Sequence, residues 1–594
     1  MHRKRTPSHL LRILFAASTV LLSVSSNAEN ALQSCSRPVE GAVVEEPPQI
    51  ESRNGVLDLT LKFTSSLGQD GARRYCYLSD GGLQSPTLRV SPGDKVSIHF
   101  QNDMPVEPEA NPTPSMPMTM ASPGADALCN GAMSSASTNL HFHGLALPPV
   151  CHQDESVHTL VGPGQAFDYR FQIPVDSSPG LYWYHPHPHG FSGAQVQGGA
   201  SGALIVQGIE AVIPGLRRLP QRTLILRDQL LPEAESQIAD PLKPSWDVSV
   251  NYVPVKYPQY VPATIKVEPG KRQFWRLVNA AANTIFNLQI LYNNVPQPVE
   301  VFAIDGVPLN EGSITEDVVF LPPGARAEFV LTTPAKGQSA QFVTLKYDPG
   351  PAGDRAPARP LANIVAENPK RGKGGAETPR TRQTAEKAPM AARIGNLLDL
   401  QPVRTRTLYF SQNGNGTEGG AGAATKYFIT VVGQPVKLFD MAAPPNIVVR
   451  QGTVEDWNIE NSTPEDHIFH IHQVHFQLLA INGVPVHDPV IRETILVPHQ
   501  VGRTPISSVK LRMDFRDPNI VGNFVYHCHI LDHEDKGMMA NVEVYDPTKE
   551  NRLTTLWRQF FPEVQYVGSI CGSKSRSTWG KMKLWLRKEM QLNV

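Results

Sequence analysis

Histidine is concentrated in four short segments of this 594-residue chain, two in its first third and two in its last third. The segments carry His141 and His143, then His185 and His187, then His467, His470 and His472, and last His527, Cys528, His529 and His533. Side chains of a β-strand alternate between its faces, so a His-x-His pair places both imidazoles on one face. One such pair would be weak support for a metal site. Four pairs supply eight imidazoles and predict a cluster of metal ions.

The fourth segment adds a second kind of donor set. In the run His-Cys-His at 527–529, the two histidines point to one face of a strand and Cys528 points to the other. Cys528, His533 and the distant His467 make the two-histidine, one-cysteine set of a blue copper site, and Met538 supplies its weak axial ligand. The run 527–529 would then join two metal environments by a short covalent path for electrons.

Strands must position these segments. Short runs that alternate between apolar and polar residues, such as 57–63 and 95–100, predict β-strands. The runs fall into three blocks, which we assign as domains over 29–208, 209–350 and 399–548. The frequent prolines and glycines between the runs are typical of a turn-rich β protein.

Each block repeats one local pattern, in which a turn leads into a strand that ends in an asparagine: Asn102, Asn279 and Asn461. Three copies of the pattern predict an all-β chain of three related β-sandwich domains. Between the second and third blocks, 351–398 is rich in proline and basic residues, which predicts a flexible linker. The basic tail over 549–594 fits either an amphipathic helix or a poorly ordered terminus.

The N-terminus has the features of an export signal. A basic stretch precedes an apolar run over about 13–24, and small residues stand at Ser26 and Ala28. The apolar run is too short to span a membrane comfortably, so we predict a signal peptide over 1–28 and an exported protein, periplasmic or secreted, without stable membrane insertion. The formal net charge of −1 argues against nucleic acid as the main partner, because that partner requires a clear basic face.

The chain has six cysteines, and an exported protein can form disulfides. Cys129 and Cys151 flank the first histidine motif, and we predict that they pair. A bridge between Cys35 and Cys76 is the weaker prediction, and it leaves Cys571 without a partner.

The four histidine motifs resemble those of the multicopper oxidases, the family of laccases, ascorbate oxidases, bilirubin oxidases and bacterial cuprous oxidases. The run His-Cys-His-Ile-Leu-Asp-His-Glu-Asp-Lys-Gly-Met at 527–538 is particularly similar to the bacterial laccase and cuprous oxidase type. The resemblance covers nearly the whole mature chain. It implies three cupredoxin-like Greek-key β-sandwich domains and four copper ions, three of them in a cluster between the first and third domains.

The resemblance also implies a ligand for each copper by motif position. The type 1 copper takes His467, Cys528, His533 and Met538; the type 2 copper takes His141 and His470; the type 3 pair takes His143, His185, His187, His472, His527 and His529. The implied reaction couples one-electron oxidation of a phenol, an aromatic amine or cuprous ion to four-electron reduction of dioxygen to water. The alternatives are a copper-free structural protein and a copper-binding or copper-tolerance protein without substantial turnover. The complete donor set favours the oxidase.

Reduction of dioxygen also consumes protons, so carboxylates are expected near the cluster. Similar bacterial enzymes carry a proton-donating glutamate where Glu534 follows His533, and laccases carry an acid near the type 2 copper where Asp154 lies. Surface charge is the alternative for both. A further group, His152, His158, His189 and His475, is expected near the ligands but outside the ligand set.

A methionine-rich run over 112–120 precedes the first motif. Met116, Met118 and Met120 alternate, so in an extended loop their sulfurs would share one side. Thioethers suit Cu(I), and the run therefore predicts either a Cu(I) site or a flexible loop of biased composition.

The electrons of the reducing substrate are expected to enter through a solvent-facing ligand of the type 1 copper, His467 or His533.

Overall fold

The computed structural model describes residues 35–105, 127–131, 133–231, 240, 242–310, 312–368, 396–413, 425–502 and 505–549. The predicted signal peptide, the methionine-rich run, Cys571 and the predicted tail from 550 onward lie outside these residues. Within them, no helix has the length and apolar character needed to cross a membrane.

The first part of the chain forms two sheets around one core. Its strands are β1 (Gln49–Glu51), β2 (Val56–Leu67), β3 (Arg73–Ser79), β4 (Thr87–Val90), β5 (Lys95–Asn102), β6 (His141–His143), β7 (Ala166–Gln172), β8 (Gly180–His185) and β9 (Gly202–Val206). One sheet has the order β3-β2-β5-β7 and the other β1-β4-β9-β8-β6. Alternate residues such as Leu61 and Phe63 of β2 meet Leu88 of β4 and Phe142 of β6 in a shared core.

The second part has the same two-layer design. Its strands are β10 (Gln221–Gln229), β11 (Asp247–Val250), β12 (Val253–Val255), β13 (Ala263–Val267), β14 (Arg272–Asn279), β15 (Phe286–Tyr292), β16 (Val295–Gln297), β17 (Val299–Ile304), β18 (Val307–Pro308), β19 (Ile314–Glu316), β20 (Val319–Leu321), β21 (Arg326–Thr332), β22 (Ala340–Thr344) and β23 (Arg359–Ala366). The sheets run β12-β11-β10-β14-β21-β17-β18, with β19 on β17, and β13-β23-β22-β15-β16, with β20 on β15. Trp275 and Phe342 pack between them.

The third part repeats the design. Its strands are β24 (Arg404–Asn413), β25 (Lys426–Val431), β26 (Ile447–Arg450), β27 (Thr453–Asn461), β28 (His467–Ile471), β29 (Phe476–Ile481), β30 (Val484–Pro485), β31 (Ile491–Arg492), β32 (Thr494–Val497), β33 (Ser507–Phe515), β34 (Gly522–Cys528) and β35 (Met539–Tyr545). The sheets run β25-β24-β27-β33-β29-β30, with β31 on β29, and β26-β35-β34-β28-β32. Trp457 and Tyr526 pack edge to face in their core.

Helices in the described residues are short: α1 (Ser192–Gln197), α2 (Ile209–Val212), α3 (Leu531–Asp535), and 3-10 turns at Ala127–Asn130, Pro214–Leu216 and Pro518–Ile520. The prediction of an all-β chain is confirmed. The linker prediction is wrong for part of its range, because β23 pairs with β13 and β22 inside the second domain. Leu361 and Ile364 of β23 are buried in the core of the second domain. The stabilisation from this burial outweighs the preference of the surrounding prolines for an irregular segment. Both predicted disulfides, Cys35–Cys76 and Cys129–Cys151, are present.

The repeated asparagine has the same function in all three domains. The side-chain amide of Asn102 donates to the carbonyls of Ala136 and Val161, and its oxygen accepts from the amide of Met104. Asn279 and Asn461 make the equivalent three bonds in their own domains. Each asparagine thus holds the loop after its strand against the core, and in the third domain that loop leads directly into β28, which carries the third histidine motif.

Candidate metal centre

Two strand pairs bring the histidine motifs together. In the first domain β6 lies antiparallel to β8, which places His141 opposite His185. In the third domain β28 lies antiparallel to β34, which places His470 opposite His527. The two domains face each other across these strands: the rings of His141 and His472 stack at 3.9 Å, and those of His143 and His470 stack at 4.1 Å between centroids. All eight imidazoles are therefore in one buried region between the first and third domains.

The nitrogens in this region need a cation. The Nε2 atoms of His472 and His527 are 3.2 Å apart, and those of His187 and His527 are 3.4 Å apart. Buried ring nitrogens without any hydrogen-bond partner are His141 Nε2, His143 Nδ1 and Nε2, His185 Nε2, His470 Nε2 and His529 Nδ1 and Nε2. Buried polar atoms are normally satisfied, so a metal ion ligated by these lone pairs fits the region.

Burial also keeps the ligands in the form that metals bind. It lowers the pKa of His185 to about 3 and that of His187 to about 4. Burial, reinforced by the neighbouring imidazoles, holds the pKa of His141, His143, His470, His472 and His529 well below the usual range. The imidazoles are therefore neutral, with a lone pair available.

The outward-facing nitrogens are held by a second set of groups. In five histidines Nδ1 lies within hydrogen-bonding distance of an oxygen atom. The pairs are His141 with Asp154 Oδ1 (3.1 Å), His185 with the carbonyl of Pro186 (3.0 Å), His470 with the carbonyl of Glu493 (2.9 Å), His472 with Ser156 Oγ (3.3 Å) and His527 with the carbonyl of Cys528 (3.0 Å). Such partners fix the tautomer and the ring orientation. In these five residues Nε2 is left for the centre.

His143 is oriented the other way. Its Nε2 lies 3.0 Å from Glu493 Oε1, without the alignment of a hydrogen bond, and its Nδ1 has no partner. Glu493 also pairs with the buried Arg326 from the second domain, so all three domains meet here. Burial raises the pKa of Glu493 to about 8, although Arg326 opposes the shift. Gly144 makes room for this pair, since it has a φ of +93° and a Cβ there would lie 2.3 Å from Arg326 Nη2.

Asp154 and Glu534 are both placed at the cluster. Asp154 is buried, accepts from the amide of Phe142 and from Gln473 Nε2, and touches His141. Burial raises its pKa well above the usual range, although these hydrogen bonds oppose the shift.

Glu534 is fully buried between the two domains. Its carboxylate oxygens lie 3.0 Å from His527 Nδ1 and 3.8 Å from His187 Nε2. Burial would raise its pKa, but the contacts with His187 and His527, which are strongest when one of the rings carries a proton, outweigh burial and lower it. Neither carboxylate is a surface charge.

A second donor group lies on the opposite face of β34. The Nδ1 atoms of His467 and His533 are 3.1 Å apart, and Cys528 Sγ is 3.6 Å from the first and 3.8 Å from the second. The amide of Ile468 donates to the sulfur. Met538 is buried in the same core, and its carbonyl accepts from the amide of Cys528. The alternation of β34 therefore separates the cysteine site from the histidine cluster, as the sequence predicts.

The prediction of a solvent-facing ligand is wrong for His467, which is fully buried, and His533 is only 6% exposed. The ring of Tyr427 stacks on His533 at 4.1 Å, and Glu465 Oε2 lies 3.5 Å from its Nε2. Burial raises the pKa of Glu465 to about 7, Tyr427 opposes the shift by hydrogen bonding, and Asp354 adds to it. Tyr427 and Glu465 therefore form a cover over His533.

The four additional histidines make other contacts. His152 stacks on Phe167, and His158 contacts Glu155 and the carbonyl of Met441. His189 packs edge to face against Phe439, and His475 contacts Glu493. None of them belongs to a group of three metal-competent donors among the described residues. Of the functional contacts, sequence analysis missed Glu493, Arg326, Tyr427 and Glu465. Only Glu465 carried a local signal, since it stands two residues before His467.

Comparison with known proteins agrees with this geometry. Three family models, each described as multicopper oxidase, match residues 128–210, 226–357 and 419–548, together more than half of the chain. A multicopper oxidase of Staphylococcus haemolyticus is 23% identical over 78% of this chain and 83% of its own length. A laccase of Haloferax volcanii is 24% identical over 88% of this chain and 87% of its own length.

Solved structures show the same fold. A multicopper oxidase from Campylobacter jejuni, described as a metallo-oxidase, has a TM-score of 0.62 and 24% identity, and covers 86% of this chain and 96% of its own. A laccase-like multicopper oxidase from Ochrobactrum sp. has a TM-score of 0.58 and 20% identity, and covers 84% of this chain and 100% of its own. The chain belongs to the multicopper oxidase family: it is a copper-dependent oxidase that uses dioxygen and binds four copper ions, one type 1, one type 2 and two type 3.

Proposed function

We propose a specific set of residues for each copper. His467, Cys528, His533 and Met538 hold the type 1 copper; His141 and His470 hold the type 2 copper; His143, His185, His187, His472, His527 and His529 hold the type 3 pair. The spacing of the donor atoms carries this proposal, because a sulfur and two imidazole nitrogens within 3.1–3.8 Å of one another are the blue copper donor set. Copper held by these residues would supply the one-electron oxidation of the substrate and the four-electron reduction of dioxygen to water.

A copper-free structural role fits the chain poorly. It would leave at least seven buried imidazole nitrogens without partners, and each costs about 1–3 kcal/mol. A copper-binding protein without turnover would not need a cysteine site joined to a histidine cluster through one strand. The run 527–529 makes that connection here, since Cys528 lies in one site and its two neighbours lie in the other.

Removing copper should lower the thermal stability of the protein. The native fold gathers the donors and the unfolded chain does not, so each ion stabilises the fold by about 4 kcal/mol when free copper exceeds its dissociation constant about 1,000-fold. Calorimetry of copper-loaded and copper-depleted protein measures the shift, and added copper should restore the melting temperature. Mg²⁺, which prefers oxygen ligands, should not. Equal melting temperatures with and without copper would contradict the ligand assignment.

Glu534 and Asp154 serve proton delivery in this proposal. Glu534 touches imidazoles from both domains, so it can hold or release a proton at the place where dioxygen is reduced. Asp154 holds the tautomer of His141 and is tied to β6 through the amide of Phe142.

The reducing substrate docks at the cover over His533. Glu465 and Asp354 make this edge acidic, which favours a cationic donor, either cuprous ion or a protonated aromatic amine, over a neutral phenol. Cu(I) binding by Met116, Met118 and Met120 stays a prediction, because these residues lie outside the described ranges.

Replacing Glu465 by glutamine should separate the substrate classes. Above its pKa of about 7 Glu465 is ionised, and loss of one charge beside a cation is worth about 1 kcal/mol at a partly solvated site. In that pH range kcat/KM for cuprous ion should fall about fivefold. Oxidation of neutral 2,6-dimethoxyphenol should change less than twofold. Steady-state oxygen consumption with both substrates measures this, with Glu316→Gln on the exposed strand β19 as control. Equal losses for both substrates would contradict a cation-selective edge.

Export is part of the same proposal. The two disulfides favour an oxidising compartment, in agreement with the signal peptide predicted over 1–28.

A further inference from the structure

A cavity of about 560 Å³ lies outside the copper centres, where the three domains meet. Tyr75 of the first domain, Trp246 and Tyr252 of the second, and Asp535 of the third line its wall. The volume is within the range of small-molecule sites, and aromatic walls with a few polar groups are typical of them.

The acidic groups of the cavity are already occupied. Asp70 pairs with Arg74 and Lys256, Asp228 accepts from the amides of Ala282, Asn283 and Thr284, Asp532 pairs with Lys536, and Asp535 accepts from the amides of Ser192 and Gly193. The cavity therefore has no unengaged carboxylate among these four to attract a cation or to neutralise a further arginine.

Arg227 is the exception among the polar groups of the cavity. Its side chain is only 2% exposed. Nε and Nη2 donate to Ser201, whereas Nη1 is buried without a partner. Among the residues that the structure describes, Arg227 forms no ion pair, and burial lowers its pKa. An unpaired buried charge is strongly unfavourable, and no described residue of this wall forms an ion pair with Arg227.

A second guanidinium increases the positive charge. Arg37 donates to the carbonyls of Cys35 and Gly198, which are neutral groups. Its guanidinium lies 4.1 Å from the ring centroid of Tyr252, and that of Arg227 lies 3.8 Å from the same centroid. The two like charges therefore face one aromatic ring, and neither forms an ion pair with a described carboxylate.

We propose that this cavity binds a small aromatic carboxylate. The carboxylate accepts hydrogen bonds from Arg227 Nη1 and from Gln197 Nε2, the other buried side-chain donor of the cavity without a partner. A guanidinium is the preferred partner of a carboxylate, and a charge-assisted bond of this kind is stronger than a neutral one. The ring of the ligand packs against the half-buried Trp246. The cavity borders α3, which carries His533, and Trp246 donates to Asp354 of the substrate edge. The contacts proposed here involve neither His533 nor Glu465, and they go beyond the oxidase reaction.

Calorimetric titration of the copper-loaded full chain with benzoate and with its neutral isostere benzamide tests the proposal. Hydrogen bonds to a charged group contribute about 1.5–3 kcal/mol, so benzoate should bind about 10- to 100-fold more tightly than benzamide. Arg227→Gln should weaken benzoate binding by a similar factor. Arg272→Gln, at an exposed ion pair with Glu300, is the matched control and should leave binding unchanged.

Several outcomes would overturn the proposal. Equal affinity for benzoate and benzamide would contradict recognition of a carboxylate. Binding of inorganic phosphate as tightly as benzoate would contradict recognition of an aromatic ring. Unchanged benzoate affinity in Arg227→Gln would refute the assignment of Arg227 as the partner of the carboxylate. If that variant does not fold, Gln197→Leu, at the edge of α1, decides the same point and should weaken benzoate binding several-fold.

Discussion

Replacing Cys528 by serine should abolish the blue absorption and the oxidation of reducing substrates, while the histidine cluster should keep its copper. The colour arises from charge transfer between a thiolate and copper, and Cys528 provides the sulfur within 3.8 Å of both type 1 imidazoles. Burial raises the pKa of this thiol to about 12, so the thiolate forms only against a bound cation. A serine hydroxyl cannot take its place.

Two measurements on the variant separate loss of the site from loss of the fold. Copper content should fall from four ions per chain to three, and the melting profile should keep its cooperative form because serine is nearly isosteric. The electron paramagnetic resonance signal of the type 2 copper should remain, since His141 and His470 lie across β34 from the cysteine. A variant that keeps the blue band would refute the type 1 assignment.

Much of the site could be predicted because strand alternation is a local rule. An extended backbone through 527–529 must divide the His-Cys-His donors between two faces; β34 ends at Cys528, and His529 directly after it still joins the histidine cluster. The repeated asparagines were also recognisable from the sequence. The structure shows why the asparagine recurs: Asn461, for example, holds the loop that leads to His467. The prediction for 351–398 was wrong where β23 forms, because partner strands far away in sequence, rather than local composition, decide whether a segment joins a sheet.

What could not be predicted depends on contacts between domains. Glu493 and Arg326 are 167 residues apart and lie in different domains, yet together they set the environment of His143. No spacing in the sequence indicates such a pair. Arg227 is a similar case: it stands in β10, whose six central residues are all buried, and only the folded structure shows that no described carboxylate pairs with its charge.

Replacing Glu534 by glutamine should slow the reoxidation of fully reduced enzyme by dioxygen about 100-fold, the range of a lost general acid. Glutamine keeps the shape and the hydrogen-bonding capacity of the side chain, but it cannot hold or release the proton beside His187 and His527. Reduction of the type 1 copper by substrate should be nearly unchanged, because Cys528, His467 and the cover over His533 are not altered.

Stopped-flow mixing of pre-reduced enzyme with dioxygen measures the first rate, and anaerobic bleaching of the blue band measures the second. Glu300→Gln, the same chemical change at a half-exposed surface pair with Arg272, is the control and should alter neither rate. Equal slowing of both rates in Glu534→Gln would indicate distortion of α3, which also carries His533, and an unchanged reoxidation rate would show that Glu534 delivers no proton. Slowing confined to reoxidation separates these cases, because a proton donor acts only where dioxygen is reduced.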